Sequence, residues 1–523
     1  MSLLLHQIPL RQAERTPASE AIGYKNQWLD YQTISRQIRS VAAGLQKLGL
    51  SQNERVGVYL PKMTEAVFSY FGTTAAAGVI VPINPVLKAA QVFHILKDCN
   101  VRILITNKSR YQQLATEIKQ CHDLLHVVIV DADVRGTLHW ECFIQPYGSW
   151  QSVPAIDSDM AAILYTSGST GKPKGVILSH RNMVIGATSV AEYIGNTSED
   201  RLLCILPFSF DYGFSQLTTA FLAGAGCYLL EYLLPQDVIK AVEQQQITGL
   251  GLVPPLWIQL AEMNWTDNAA DSVRYFTNTG GALPTSTLNV LRKRFRNARP
   301  FLMYGLTEAF RSCYLSPDQV DLRPGSIGKA IPNVDVMVIN ELGESCAPYE
   351  PGELVHRGAL VSMGYWNDIK RTAERFRPAP NAIKEIPNNE LAVWSGDIFI
   401  KDDEGYLYFI GRSDDMIKTS GYRVSPSEIE EVIYTSGLVS EVAVIGLPHP
   451  RLEQAIVAIV VCSDTMVMDE ASIIRHCQQC LPAYMVPKQI IQHVSLFRNP
   501  NGKIDRKLLM NEYHRLFKEK GCE

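Results

Sequence analysis

Short apolar runs alternate with stretches whose apolar positions recur every three or four residues along the first half of the chain. Residues 56–60, 79–83, 101–106 and 127–130 read as buried strands, while 31–48 and 89–97 have helical spacing and 65–77 predicts a further helix. The same order recurs in the middle, with strands expected at 204–207, 226–230 and 249–253 between helical stretches. Such alternation predicts a layered α/β fold with a largely parallel sheet. After about residue 320 the pattern changes, and Gly, Pro and short β-like runs over 327–409 predict a small β-rich subdomain. Gly411-Arg412-Ser413-Asp414-Asp415 interrupts it with charge, and a compact α+β segment follows, with helices expected at 427–434 and 471–480 and strands at 442–446 and 456–461. The expected division is an N-terminal domain over 1–412 (its β-rich subdomain about 325–412), a hinge at 413–415 and a small C-terminal domain over 416–523.

Composition changes this picture little. At 523 residues the chain exceeds what one core usually organises, and 46% hydrophobic with 20% charged residues is an ordinary globular balance. A net charge of −4 excludes a nucleic-acid binder that works by basic excess. The N-terminus lacks a secretory pattern and the eleven cysteines are scattered, so free thiols in a reducing cytoplasm are expected. Cys477 and Cys480 form a lone CxxC on a stretch that reads as helix, 470–481, with no second pair at zinc spacing. The uncharged stretch 66–87 contains Gly72, Gly78, Pro82, Asn84 and Pro85, which predict a buried helix and a buried strand rather than a membrane span.

Four local features carry chemistry. Tyr165-Thr166-Ser167-Gly168-Ser169-Thr170-Gly171-Lys172-Pro173-Lys174-Gly175 follows the apolar run 161–164. Its glycines free backbone N–H groups to face an anion, its hydroxyls add donors, and its lysines add positive charge, a combination suited to polyphosphate. Gly168 and Gly171 are too close together for a Walker A loop. In Tyr304-Gly305-Leu306-Thr307-Glu308 the carboxylate suits a magnesium ion bridging phosphates, with Thr307 as a nearby donor. Asp397, in Ser395-Gly396-Asp397, suits a ribose diol, with Arg412 as reinforcement; a solvated acid and base on two β-turns fit those residues equally well. Lys503, in Asn499-Pro500-Asn501-Gly502-Lys503-Ile504-Asp505, sits on a glycine-bearing loop that can reach across to another domain, although a lone lysine is ordinarily solvated surface.

In this order the four features resemble the adenylate-forming superfamily, which includes acyl-CoA synthetases, non-ribosomal peptide adenylation domains and firefly luciferases. Asn278-Thr279-Gly280-Gly281-Ala282-Leu283-Pro284, Gly325-Ser326-Ile327-Gly328-Lys329, Gly352-Glu353-Leu354, Gly364-Tyr365-Trp366 and Lys418-Thr419-Ser420-Gly421-Tyr422-Arg423 match as well, so the resemblance spans nearly the whole chain. It implies an ATP- and Mg2+-dependent ligase that turns a carboxylic acid into an acyl-adenylate and then into a thioester of CoA or of a phosphopantetheinyl carrier protein. Under that resemblance Thr166 to Gly171, Lys172 and Lys174 handle phosphates, and Glu308 holds magnesium. Thr307 neighbours the α-phosphate. Gly280, Gly281, Ala282, Tyr304 and Gly305 line the adenine pocket, and Asp397 with Arg412 holds ribose. Lys503 is the lysine that bridges the acid and ATP, on a mobile C-terminal domain. Asp414 marks the hinge, and Gly421 borders the thiol tunnel.

The resemblance places Phe210, Asp211, Tyr212, Ser215, Met303, Arg311 and Ser312 around the acid. Many acyl- and aryl-CoA synthetases have histidine where this chain has Phe210, and Asp211 matches the aspartate with which amino-acid-activating domains hold an α-amine. Asp211 therefore either meets a substrate ammonium or pairs locally with Arg311, and Arg311 either binds a second polar group of the acid or neutralises Asp211. Phe210-Asp211-Tyr212-Gly213 beside Ala309-Phe310-Arg311 is similar to a bacterial branch of prolyl-carrier-protein ligases and exosortase-associated acyl-CoA ligases. An amino-acid-activating enzyme that loads a stand-alone peptidyl carrier protein is the nearest alternative, since no carrier-type motif follows Lys503. Neither a light-producing oxygenase nor a catalytically inactive binding relative fits as well, because nothing suggests an oxidative pocket and Lys503, Asp397 and Glu308 are all in place.

Overall fold

Runs rich in Val and Ile build the first sheet, because branched side chains suit a pleated surface covered on both faces. A computed structural model describes residues 4–166, 173–380, 385, 387, 390–412, 417–419, 422–449, 452–462, 469–481, 483–500 and 502–517. The first sheet has seven strands, in the order Leu138–His139, His126–Ile129, Val101–Thr106, Arg55–Tyr59, Val79–Pro82, Met160–Thr166 and Lys174–Ser179. Its neighbours run parallel except for the last two, an antiparallel pair with Thr166 opposite Lys174. Successive side chains take opposite faces: Ile80, Ile103 and Ile105 pack in the cluster that holds helices Tyr31–Lys47 and Thr64–Ala75, while Val79, Val81 and Leu104 face helix Ala89–Asp98. The uncharged stretch 66–87 is thus helix Thr64–Ala75 and strand Val79–Pro82, and no helix among the described residues is long and apolar enough to cross a membrane.

A second sheet of fourteen strands has a parallel centre formed by Gly226–Leu229, Arg201–Cys204, Gly249–Leu252, Tyr275–Asn278 and Arg299–Tyr304. The β-rich region joins its edge. Cys313–Leu315 and Ser326–Ala330 turn the sheet antiparallel and carry it through Leu407–Arg412, Leu391–Lys401 and Gly352–Gly358 to Val334–Ile339. The strand expected at 204–207 lies instead at Arg201–Cys204. Arg201 is tolerated there because its guanidinium covers the Trp28 ring and pairs with Glu20 at 2.5 Å, which frees 205–210 to be a loop.

The C-terminal part forms a third sheet, in which Glu453–Val461 pairs antiparallel with Glu441–His449 and parallel with Gln489–Gln492. Val442, Val444 and Ile456 face helices Pro426–Thr435 and Glu470–Cys480, while Ala443, Ile445 and Val457 face helix Arg506–Tyr513. Cys477 is buried in the first of these cores, where burial pushes its thiol up to about 11, and Cys480 is exposed on the same helix; this is a packing role for Cys477. The described residues include no cluster of metal-ligating side chains. The hinge expected at 413–415 lies outside the described residues.

Candidate active site

The parallel strands of the second sheet all end on one edge, and their carboxyl ends deliver residues 206–211, 279–282 and 304–308 to a single cleft. Ligands of open α/β sheets sit in such crevices. The loop 206–210 folds back tightly onto helix Asp211–Ala223, and a Cβ on Gly213 would collide with the carbonyl oxygens of Pro207 and Leu206. Glycine at that position lets the loop bury Asp211 in the first helical turn.

Across the cleft, Glu308 and Lys174 meet. Glu308 lies on the short 3-10 turn Thr307–Ala309, and its Oε1 accepts hydrogen bonds from Lys174 Nζ at 3.0 Å and from the Tyr365 hydroxyl at 2.5 Å. Lys174 Nζ also donates to the Tyr365 hydroxyl at 2.8 Å and sits 4.2 Å from that ring's centre. Burial alone would raise the Glu308 carboxyl, but Lys174, the Tyr365 hydroxyl and Arg375 outweigh it and hold the group down at about 2. A carboxyl held below its ordinary 4.5 lends stability that is complete above pH 4.5 and is lost as the pH falls towards 2. Melting temperatures of the wild type should therefore fall more steeply across that range than those of Glu308→Gln. Parallel curves would contradict the pairing.

The chain turns sharply after this acid. Phe310 has φ 55° and ψ −59°, and the Arg311 N–H donates to the Ala309 carbonyl at 2.6 Å, which closes a three-residue turn of the rare positive-φ kind. Such strain persists only where its surroundings impose it. Here the fully buried Phe310 ring lies against Gly186, where an added Cβ would come within 2.5 Å of it. The turn is what points Arg311 into the protein.

On the nucleotide side, the Tyr304 hydroxyl donates to Asp397 Oδ2. Asp397 and Arg412 are cross-strand partners on Leu391–Lys401 and Leu407–Arg412, so the two residues expected to share the ribose stand opposite each other in the sheet. Gly280 has φ 83°, and the tip of the Phe210 ring would lie 3.8 Å from a Cβ added there. Gly281 is held by a 3.0 Å hydrogen bond from Asn278 Nδ2, and Gly281 and Ala282 are exposed at the cleft. Gly305 packs against Arg311, whose Cα would lie 3.0 Å from an added Cβ.

On the acid side, Tyr212, Ser215 and Met303 line one small, half-open pocket of about 30 Å³, together with Gln216 and Thr277. The Tyr212 hydroxyl bonds to Thr277, and its ring is edge-on to Phe210. Asp211 is 5% exposed and Arg311 is 1% exposed, yet no ion pair within 4.0 Å joins them among the described residues. Burial raises the Asp211 carboxyl, opposed by the charge of Arg311 and then by that of Lys503. Ser312, also expected around the acid, has its hydroxyl engaged by His356 Nδ1 at 2.9 Å in a fully buried pair.

Lys503 comes from the third sheet's side of the molecule, and its charge reaches Asp211. Its loop is braced by mutual bonds between Asn499 and Lys503, and the Pro500 carbonyl accepts a long 3.5 Å bond from Asn84 of the first sheet's region. Ser167, Gly168, Ser169, Thr170, Gly171, Lys172, Asp414 and Gly421 lie outside the described residues. Thr166 precedes them, and its buried Oγ1 has no hydrogen-bond partner among the described residues, a feature that fits a phosphate ligand. Both hydrogen bonds to Glu308 fall on Oε1, which leaves Oε2 available as an ionised oxygen donor, the type magnesium takes one or two of alongside phosphate oxygens. Tyr365 and Arg375 carry no expected role from sequence. The Gly364-Tyr365-Trp366 match marked the place, but only the pairing of Val176 with Tyr365 along the hairpin edge brings the hydroxyl to Glu308.

Comparison with known proteins bears on the whole chain. The AMP-binding enzyme profile matches residues 10–366, and the AMP-binding enzyme C-terminal domain profile matches residues 428–503. Gramicidin S synthase 2 of Aneurinibacillus migulanus is 30% identical over 507 residues, 95% of this chain, which spans only 11% of that much longer protein. The long-chain-fatty-acid–CoA ligase of Bacillus subtilis (strain 168) is 28% identical over 534 residues, covering 96% of this chain and 93% of the ligase. The crystal structure of the anthranilate CoA ligase AuaEII with anthranoyl-AMP superposes with a TM-score of 0.88 at 24% identity and covers 98% of both chains, a likeness of fold.

Proposed function

From the premise that the chain belongs to the AMP-binding enzyme family, we propose that it is an acid–thiol ligase: it joins a carboxylic acid to AMP with loss of pyrophosphate, then passes the acyl group to a pantetheine thiol. The observation that carries this reading is the convergence of four charged groups from distant parts of the chain, Lys174 and Glu308 in contact and both Glu308 and Lys503 acting on Asp211.

In the first step a carboxylate oxygen attacks the α-phosphorus and pyrophosphate leaves. Two anions must approach, so positive charge fixed in advance lowers the barrier. Lys503 meets the incoming carboxylate, and Thr166 and the loop after it receive the departing phosphates, with Thr307 beside the α-phosphate. Asp397, joined by Tyr304 and with Arg412 as its cross-strand partner, takes the ribose hydroxyls. Gly280, Gly281 and Ala282 flank the adenine. Magnesium on Glu308 would neutralise charge that develops on the phosphates. In the second step the sulfur attacks the acyl carbonyl, AMP leaves, and the thiol proton is released. That step needs the Lys503 loop to clear the cleft, and a rotation of the 416–523 domain about the 413–415 hinge does this, with Asp414 in the hinge and Gly421 turned towards the thiol.

ATP–pyrophosphate exchange over amino, aryl and fatty acids tests this reading, followed by offering the best acid with CoA and with a phosphopantetheinylated carrier. Acid-dependent exchange and a thioester with one of the acceptors are expected. Nucleotide binding with no exchange for any acid would sink the proposal.

A second reading, an amino-acid-activating ligase, is favoured by one observation: buried Asp211 has no cation within 4.0 Å among the described residues, so a substrate ammonium can supply it. Asp211→Ala should then lose exchange with amino acids by about 10-fold or more, the value of a charged hydrogen bond, and keep exchange with plain acids. Equal exchange by the two proteins across the panel removes the amine role.

A further inference from the structure

Arg311 is among the largest fully buried side chains of the molecule, at 1% exposure, and its Nε lies buried with no hydrogen-bond partner among the described residues. Its guanidinium carbon stands 4.9 Å from the centre of the Tyr212 ring, a contact that offers a π face but no acceptor for the N–H groups. A desolvated cation without acceptors is costly, and proteins normally pair it. Asp211 is the obvious partner, yet the two are not within ion-pair distance, although each is buried and the charge of Arg311 acts on Asp211. Nor does Arg311 sit where it does by accident of packing. The strained turn at Phe310, locked by the Phe310 ring on Gly186, directs it inward, and Gly305 gives its backbone room.

The charges are also ordered in depth. Lys503 is exposed, whereas Arg311 is enclosed, and Asp211 feels Arg311 more strongly than Lys503. Both cations act on Asp211, one exposed and one buried, so an acid with its reacting carboxylate at Lys503 extends towards Arg311 as it enters the protein. Resting on the acid-activating reading above, we propose that the acid carries a second acceptor oxygen, in a carboxylate, keto or amide group, and that Arg311 receives it. Arg311 is thus a specificity-determining residue. An alkyl tail would leave the guanidinium without an acceptor, while an acceptor oxygen completes its hydrogen bonds, and a site that requires such a bond rejects analogues without it.

Matched acids separate these outcomes: butanoate against succinate, hexanoate against 5-oxohexanoate, and norvaline against glutamate and glutamine, each assayed by ATP–pyrophosphate exchange. The wild type should favour the oxygen-bearing member of at least one pair by about tenfold or more in kcat/KM. Arg311→Met, which keeps the length and removes the donors, should erase that preference, lowering exchange with the oxygen-bearing member far more than exchange with the plain one. Arg311→Lys should restore part of it. Thermal melting and ATP binding report whether each variant is folded, and the wild-type preferences decide the matter if a variant is not. A wild type that favours the plain member of every pair overturns the assignment while leaving the ligase standing, as does a preference that survives intact in folded Arg311→Met. Silence with every acid overturns the ligase reading and this one with it.

Discussion

Replacing Lys503 by alanine is expected to slow acid-dependent ATP–pyrophosphate exchange by roughly 10²–10³-fold or more, the scale set by loss of one preorganised charge-stabilising donor. The same protein should still transfer a supplied acyl-adenylate to thiol at close to the wild-type rate. The asymmetry follows from geometry. Lys503 stands on a loop braced by Asn499 and its charge acts on Asp211, so in the proposed mechanism it serves the anion–anion encounter and leaves before a long thiol enters. A residue needed only for folding would depress both steps together. Single-turnover measurements with acid plus ATP, and separately with acyl-adenylate plus thiol, distinguish the two; equal losses would contradict the alternation of domains.

Glu308→Gln should be as damaging, lowering exchange by roughly 10²–10³-fold. The amide keeps the shape but gives up the charge held ionised by Lys174 and by the Tyr365 hydroxyl. It also leaves Lys174 facing a neutral group in a half-buried place, so the loss should persist at saturating ATP and acid, in kcat as well as in kcat/KM. Raising the magnesium concentration should recover little of it, because the lost element is an anionic oxygen. Full recovery in high magnesium, with wild-type kcat, would show that Glu308 tunes affinity alone. Tyr365→Phe offers a graded comparison: it deletes one hydrogen bond to Glu308 and one from Lys174 while leaving their 3.0 Å pair in place, so its effect should be clearly smaller.

Much of the molecule can be read along the chain. The strand at Val101–Thr106 is where its apolar run predicts it, and helix Tyr31–Lys47 ends one residue short of its expected end. The exception at 204–207 is instructive, because an arginine is accepted into a strand once Trp28 and Glu20, far earlier in the sequence, cover its stem and pair its charge. Ser312, which the resemblance places around the acid, has a partner that its own stretch of sequence does not announce, because its hydroxyl bonds to His356.

Periodicity, turn residues and the order of four motifs were sufficient for the α/β class and the family, since each of these signals is contained within one element or one short loop. Partnerships were out of reach. Tyr365 lies 57 residues from Glu308 and Lys174 lies 134 residues from it, while Pro500 meets Asn84 across 416. Whether Asp211 and Arg311 neutralise each other or stay apart depended on a turn at Phe310 and on the space left by Gly186. Charges interact through distance and burial in three dimensions, and those quantities come into existence only when separate strands and helices have packed.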